Sequence, residues 1–354
     1  MEEWKEYKLG DVLTIKYGKD HKRLKDGSFP VYGSGGIMRY ANEYIYKGPS
    51  ILIPRKGSLN NIMYSNLPFW TVDTMFWTII NEEIVNPLYL YYSIYKKDFA
   101  SLNVGSAVPS LTVPVIEDVD ICLPPKEIQD KIASILKSLD DKIQNNRKIN
   151  ENLEQQAQAL FKSWFVDFEP FRDQPFAESE LGMIPEGWRV GNFGSLFDIK
   201  YGKDHKKLDD GIYPVYGSGG LMRKANKYLY QGESVLIPRK GSLNNVMYVN
   251  ESFWTVDTMF YTVPKIDDIV IFAFMQLRNK DLSSMNVGSA VPSMTTEVLN
   301  NIKFVLPTDK IMFDFNSLAT NLYRVIKHNE SESHRLSQLR DTLLPKLMSG
   351  EIKL

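Results

Sequence analysis

At 354 residues the chain is long for one domain and sufficient for two, each able to bury its own core. A hydrophobic content of 43% and a charged content of 24% exclude wholesale disorder. The net charge of -1 excludes a uniformly basic surface, so nucleic acid, if bound, must be met by a local positive patch. The single cysteine, Cys122, excludes an intrachain disulfide and fits a reducing compartment. The opening Met1-Glu2-Glu3-Trp4-Lys5-Glu6 lacks a signal peptide's basic head and apolar core, and no apolar run approaches the ~20 residues of a membrane helix. The expected setting is the cytoplasm.

In chain order, Pro30 to Tyr32, Ile51 to Ile53 and Trp70 to Trp77 are β-branched or aromatic runs bounded by Gly, Pro, Asn and Ser, and predict strands. Pro87 to Phe99 carries Leu88, Tyr91, Tyr92 and Tyr95 at three-to-four spacing behind an early proline, which predicts a helix. After Pro124-Pro125 the texture changes. From Lys126 to Trp164 there is no Gly or Pro, and Ile128, Ile132, Ile135, Leu139, Ile143, Ile149, Leu153, Ala157 and Leu160 keep a helical rhythm. A helix of ~35 residues is roughly 50 Å long and needs a partner along its length. A connector follows from Val166 to Trp188, rich in acid, Phe and Pro. The second globule then leads into Thr308 to Leu344, with Leu318, Leu322, Val325, Ile326, Leu336, Leu339 and Leu343, and Pro345 is expected to stop this helix. Asn145, Asn146, Asn150, His328 and Asn329 flank the expected seam. They either fix its register or are simply solvated.

The two globules are copies. Tyr17 to Lys22 returns as Tyr201 to Lys206, Pro30 to Gly36 as Pro214 to Gly220, and Leu52 to Asn61 as Leu236 to Asn245. Phe69 to Phe76 returns as Phe253 to Phe260, and Asn103 to Ser110 as Asn286 to Ser293. A period this long marks a duplicated domain, not a solenoid. The expected fold class is α/β (α+β), with two similar globules separated by two long antiparallel helices in a coiled coil. The expected boundaries are 1–125 and 188–307 for the globules, 126–165 and 308–345 for the helices, 166–187 for the connector and 346–354 for a tail.

Leu123-Pro-Pro-Lys-Glu-Ile-Gln-Asp-Lys-Ile-Ala-Ser-Ile-Leu-Lys-Ser-Leu-Asp-Asp-Lys-Ile143 resembles the first helical region of Type I restriction-modification specificity subunits. Leu160-Phe-Lys-Ser-Trp-Phe-Val-Asp-Phe168, Leu181-Gly-Met-Ile-Pro-Glu-Gly-Trp188 and Arg340-Asp-Thr-Leu-Leu-Pro-Lys-Leu-Met-Ser-Gly-Glu-Ile352 are similar to later regions of the same family, in the same order. The chain departs from the pattern in two ways. Its recognition domains are near copies, whereas the family's usually differ, and Thr308 to Ser317 lacks the Pro-Pro and Glu-Ile-Gln start. The resemblance implies two target-recognition domains held apart by an antiparallel helix pair on double-stranded DNA. It also implies two bound methyltransferase subunits and, in a full restriction complex, two motor-nuclease subunits. S-adenosylmethionine then belongs to the methyltransferase, ATP and Mg to the motor, and no cofactor to this chain.

Candidate DNA contacts fall in the repeated segments. Tyr17, Lys19, His21 and Lys22, with Tyr201, Lys203, His205 and Lys206, set cations around one aromatic and suit phosphates and groove entry; the alternative is a solvated loop. The Gly33 to Gly36 turn brings Ser34 and Arg39, and its copy Ser218 and Arg223, although tight turns need glycine anyway. Arg55 and Arg239 suit a guanine edge, Asn60, Asn61, Asn244 and Asn245 an adenine edge, and Lys56, Ser58, Lys240 and Ser242 phosphates; the alternative is an ordinary strand-end turn. Thr71, Asp73, Thr255 and Asp257 are placed on the open face of a strand. There the acids either accept from a cytosine amino group, orient the arginine or cap a turn. Gly105 to Pro109 and Gly288 to Pro292 are expected to close each domain against the helix, with Ser106 and Ser289 as minor phosphate candidates.

No Asn/Asp-Pro-Pro-Tyr/Phe motif, methyl-donor glycine fingerprint or nuclease carboxylate cluster occurs, so no catalytic residue is assigned. His328 and His334 do not share a helix face, so no metal site is assigned either. Any methyl transfer would fall to a partner that flips its target adenine. Two matching domains imply a split, near-palindromic site, with half-site centres ~10 bp apart if the helix pair acts as a ruler. Three rivals remain at this level: a DNA reader of another methylation or defence system, an assembly scaffold, and, third, an enzyme, which methyl transfer by the isolated chain would revive. Salt-sensitive DNA binding separates the scaffold from both readers.

Overall fold

The computed structural model describes residues 4–105, 108–288 and 291–354. The chain divides into two compact units, residues 1–146 with 331–354, and residues 147–330. Each therefore holds one globule and half of each long helix. The first long helix runs Lys126–Phe165 and the second Asp309–Met348, 40 residues apiece.

In the first unit, strands Leu13–Tyr17, Met75–Ile80, Ser50–Pro54 and Met63–Ser65 form an antiparallel sheet in that order. A second sheet joins Gly36–Ala41, Asp26–Gly33 and the short Trp70–Thr71, the last pair parallel. The run read as one strand from Trp70 to Trp77 is instead two strands, because the backbone turns at Val72 (Met75 N–H to Val72 C=O, 3.0 Å). The predicted Pro87 helix ends at Ile94 and is followed by a 3₁₀ turn at Phe99–Leu102. Asn86 caps it, accepting from the N–H groups of Leu88 and Tyr89.

The second unit repeats this plan with longer strands. Phe197–Tyr201, Met259–Pro264, Tyr230–Pro238, Met247–Thr255, Asp210–Gly217 and Gly220–Ala225 form one six-stranded sheet. Two prolines explain the difference. Gly232 pairs with Glu251 and Gln231 with Ser252 in the long hairpin, whereas the first unit carries Pro49 in place of Glu233 and Pro68 in place of Ser252. A proline donates no ladder bond, so the first unit's pairing breaks there and leaves only a Tyr46–Phe69 bridge.

Each half-helix packs on its own globule. In the first unit Ile132, Ala133 and Leu136 share a core with Leu344, Leu347, Tyr89 and Phe99. Asp140 pairs with Arg340 (2.6 Å) and accepts from the Tyr92 hydroxyl (2.6 Å), and Asn146 donates to Glu332 (2.7 Å). In the second unit Phe161 and Phe165 pack on Phe315, Asn150 bonds Asn329 (2.8 Å), and Arg278 pairs with Glu154 (2.9 Å). Numbers rise along one helix as they fall along the other, so the helices pair antiparallel within each unit. The polar seam question resolves residue by residue: Asn146, Asn150 and Asn329 bond across the helices, while Asn145 and His328 are exposed.

Three sequence expectations for the helices change. Pro345 does not stop the second helix, which continues to Met348. The proline removes one N–H and its bond, but the turn it opens is held by Leu344 and Leu347, both buried in the core, so Leu347 does not lie in a tail. Thr308 supplies the start that was not legible, since the Met312 N–H bonds its carbonyl. Ile149, Leu318, Val325 and Leu339, read as seam residues, are exposed.

Candidate nucleic-acid interface

The candidate surface grows from the end of strand Leu13–Tyr17. Gly18 follows because nothing larger fits: a Cβ there would lie 2.0 Å from the Val72 carbonyl oxygen, and one on Gly202 the same distance from that of Val256. The chain is then pinned twice, by the Lys19 N–H on the Thr71 carbonyl (2.9 Å) and the Trp70 indole N–H on the Lys19 carbonyl (2.9 Å). Asp20 accepts from the Lys22 N–H (3.0 Å), which holds its carboxyl below the usual range, and Asp204 does the same with Lys206. Buried Leu24 anchors the far end of the loop. Lys19 and Lys22 are left exposed on a fixed backbone, as are Lys203 and Lys206.

Arg55 reaches this loop from the end of strand Ser50–Pro54. Its guanidinium carbon stands 5.5 Å from the centre of the exposed Tyr17 ring, and the Arg239–Tyr201 distance is also 5.5 Å. Phe76 meets the Tyr17 ring edge-on at 5.1 Å, and Phe260 meets Tyr201 at 5.0 Å. Arg55 Nη1 donates to the Asp73 carbonyl (3.3 Å) and Arg239 Nη1 to that of Asp257 (3.0 Å). Lys56, Ser58, Lys240 and Ser242 lie exposed on the next turn, with Asp73 and Asp257 exposed beside the arginines. Asn61 Nδ2 holds the Ser34 carbonyl (2.8 Å) and Asn245 Nδ2 that of Ser218 (2.8 Å), so the glycine hairpin tip joins the same face.

The loop read as a closure against the helix belongs here too. The Gly57 N–H bonds the Pro109 carbonyl (3.3 Å) and the Leu111 N–H bonds that of Arg55 (2.9 Å), with equivalent bonds at Gly241 and Met294. Asn103 Oδ1 accepts from Gly105 and Ser110, and Asn286 from Gly288 and Ser293. Val104 and Val108 are exposed beside the arginine loop, as are Val287 and Val291, an apolar rim the sequence reading missed. The repeated loop was its one visible signal. Ser106 and Ser289 lie outside the described residues.

Several candidates are committed elsewhere. Thr71 and Thr255 are wholly buried: the strand expected to alternate ends at each of them, and the backbone of Gly18 or Gly202 lies over the hydroxyl, where a Cβ would come within 2.8 Å of Oγ1. Arg39 pairs with Asp26 (2.9 Å) and bonds the Leu24 carbonyl; Arg223 pairs with Asp210 (2.9 Å) and bonds His205 and Leu208. These arginines fasten the basic loop from behind. His21 and His205 are half-buried, and His205 Nδ1 accepts from Arg223 (3.3 Å). Asn60 spans Asp98 and the Ala100 N–H, and Asn244 spans Asp281 and the Ser283 N–H, so both hold a 3₁₀ turn. Among the described residues no three His, Cys, Asp or Glu cluster as a metal site, and no helix is long and apolar enough to cross a membrane.

A family model for the type I restriction modification DNA specificity domain matches the chain twice, at residues 1–155 and 185–339. The type I restriction enzyme MjaIX specificity subunit of Methanocaldococcus jannaschii is 26% identical over 87% of this chain and 79% of its own. The HindI specificity subunit of Haemophilus influenzae is 24% identical over 99% of this chain and 100% of its own. A crystal structure of a Type-I restriction-modification system S subunit from M. genitalium has a TM-score of 0.72 at 16% identity, covering 98% and 96% of the two chains; what that likeness establishes is the fold.

Proposed function

The chain belongs to the type I restriction-modification DNA specificity family, and on that footing we propose that it reads a split, near-palindromic DNA site and brings a separate adenine-N6 methyltransferase to it. One observation carries the near-palindrome: each unit presents the same tyrosine, arginine, lysines and serine on the same backbone frame, down to equal arginine–ring distances. Equal reading faces select equal half-sites. The chain is the specificity subunit of its system, not the catalytic one. On this reading S-adenosylmethionine is held by the methyltransferase, ATP and Mg by any motor-nuclease subunit, and the work is done in the cytoplasm.

Co-expression with the methyltransferase, followed by genome-wide mapping of methylated adenines, tests this. The expected map is a two-part motif whose halves are nearly inverse complements. Unrelated halves would defeat the symmetry, and a map that ignores the presence of this chain would defeat the whole reading. Lys25 against Asp209, Tyr40 against Lys224 and Glu43 against Lys227 are exposed differences of the kind that would make the halves diverge.

The proposal also places two methyltransferase subunits on the long helices. Exposed Leu318 and Val325 stand seven residues apart on the part of the second helix that belongs to the second unit, a spacing that keeps two side chains on one face of a helix. Leu318→Glu with Val325→Glu is expected to abolish co-purification of the methyltransferase while leaving the melting temperature of the isolated chain unchanged. Full recovery of the complex would refute this docking surface.

A further inference from the structure

We propose that Arg55 and Arg239 each read one guanine, and that Tyr17 and Tyr201 are the positioning residues that hold them ready to do so. The inference rests on the DNA-reading function above and adds which residue discriminates, which base it takes and what orients it.

The repeated loops of each unit contain two arginines common to both copies. Arg39 and Arg223 are consumed by Asp26 and Asp210 and by loop carbonyls. Arg55 and Arg239 have no carboxylate partner among the described residues. Each is held instead on three sides. Its own backbone is clamped, Arg55 N–H to the Thr74 carbonyl (2.9 Å) and Arg55 carbonyl to the Leu111 N–H (2.9 Å), with the same pair at Thr258 and Met294. The tyrosine ring lies against the guanidinium, and a backbone carbonyl takes Nη1.

That leaves Nε and Nη2 without a partner among the described residues. These two parallel donors are what a guanine requires, since its major-groove edge offers N7 and O6 as adjacent acceptors. A lysine at this place would carry the charge without the fork. The ring does not neutralise the cation as a carboxylate would. It stands 5.5 Å from the guanidinium carbon on one side and leaves the other donors open. A cation–ring contact of this kind, together with the carbonyl on Nη1, lowers the conformational freedom lost when the base arrives. Because the arrangement is the same in both units, the guanine should occupy the same position in each half-site.

Two experiments test this on the full complex with its methyltransferase. In methylation sequencing, Arg55→Lys is expected to relax one position of one half-site by roughly 5- to 150-fold and leave the other half-site sharp. Arg239→Lys is expected to do the reverse. The remaining positions of the altered half-site, still sharp, report that the substituted unit is folded. Tyr17→Leu is expected to relax the same position as Arg55→Lys, whereas Tyr17→Phe keeps it sharp. In binding assays with unaltered protein, 7-deazaguanine at that position removes the N7 acceptor. It is expected to weaken binding at least about 5-fold, and to have no further effect on Arg55→Ala, which has no donor left for N7.

Arg55→Lys with every position as sharp as before would overturn the proposal, as would unaltered protein that tolerates 7-deazaguanine at every motif guanine. Relaxation by Arg55→Lys but not by Tyr17→Leu would overturn the positioning role. A wild-type complex that marks no two-part site is a different failure, that of the DNA-reading function itself, and is seen before any variant is made.

Discussion

Raising the salt from 50 to 200 mM is expected to weaken DNA binding by the methyltransferase complex about 10³-fold or more. Lys19, Lys22, Lys56, Lys203, Lys206 and Lys240 are exposed on the two candidate faces, and none makes an ion pair with a described residue. Six phosphates neutralised by six ammonium groups give a slope of log affinity on log salt of about -5. The bound methyltransferase adds its own charges, so the share of this chain is read as a difference. Replacing all six lysines by glutamine, which keeps polarity and near length, is expected to flatten the slope by about 5. Arg39→Gln with Arg223→Gln serves as the contrast. Those side chains already face Asp26 and Asp210, so the slope should stay where it is even if the loop loosens. A slope that ignores the six lysines, or follows the two arginines, would mean that the DNA lies on another surface.

Much of the fold was legible because it is written in local rules. The glycines, prolines and aromatic runs repeat at one displacement, and a Gly- and Pro-free run with helical rhythm has few alternatives. What was not legible depended on contacts between distant segments. Tyr17 and Arg55 are separated by a strand, a hairpin and a loop, and nothing in their sequence says that one ring lies against one guanidinium. Thr71 was placed on an open face by alternation along a strand that in fact ends there. Arg39 and Asn60 carry the residue types that read DNA, but their partners Asp26 and Asp98 arrive from elsewhere in the fold. Leu318 and Val325 fit the helical rhythm as well as Phe315 and Ile326 do, and rhythm alone does not say which stripe is buried. Some of the missed features did leave a mark. Pro49 and Pro68 stand where the second copy has Glu233 and Ser252, and a comparison of the copies would have predicted the broken strands of the first unit.

Phe165→Ala is expected to destabilise the second unit by about 3–5 kcal/mol. Phe165 is the last residue of the first long helix and is nearly buried. It meets Phe272 and Phe315 edge-on at 4.9 and 4.8 Å, Phe161 at 5.3 Å and Trp188 at 5.9 Å. Those partners come from both long helices, from the entry to the second globule and from the Val270–Arg278 helix, so one ring joins four segments. Nothing small can collapse into the space, because its neighbours are themselves rigid aromatic rings, and the cost should sit at the upper part of the range for phenylalanine. For a unit of this size the loss corresponds to a fall in melting temperature of roughly 6–20 °C. Hydrogen exchange separates this from a general effect. Amides in 157–165 and 309–319 should exchange faster, while Ile132 to Leu136 and Leu344 to Met348, which share the other core, keep their protection. A variant that melts within 1 °C of the wild type, or that loosens both cores equally, would show that the aromatic junction is not what fastens the second globule to its helices.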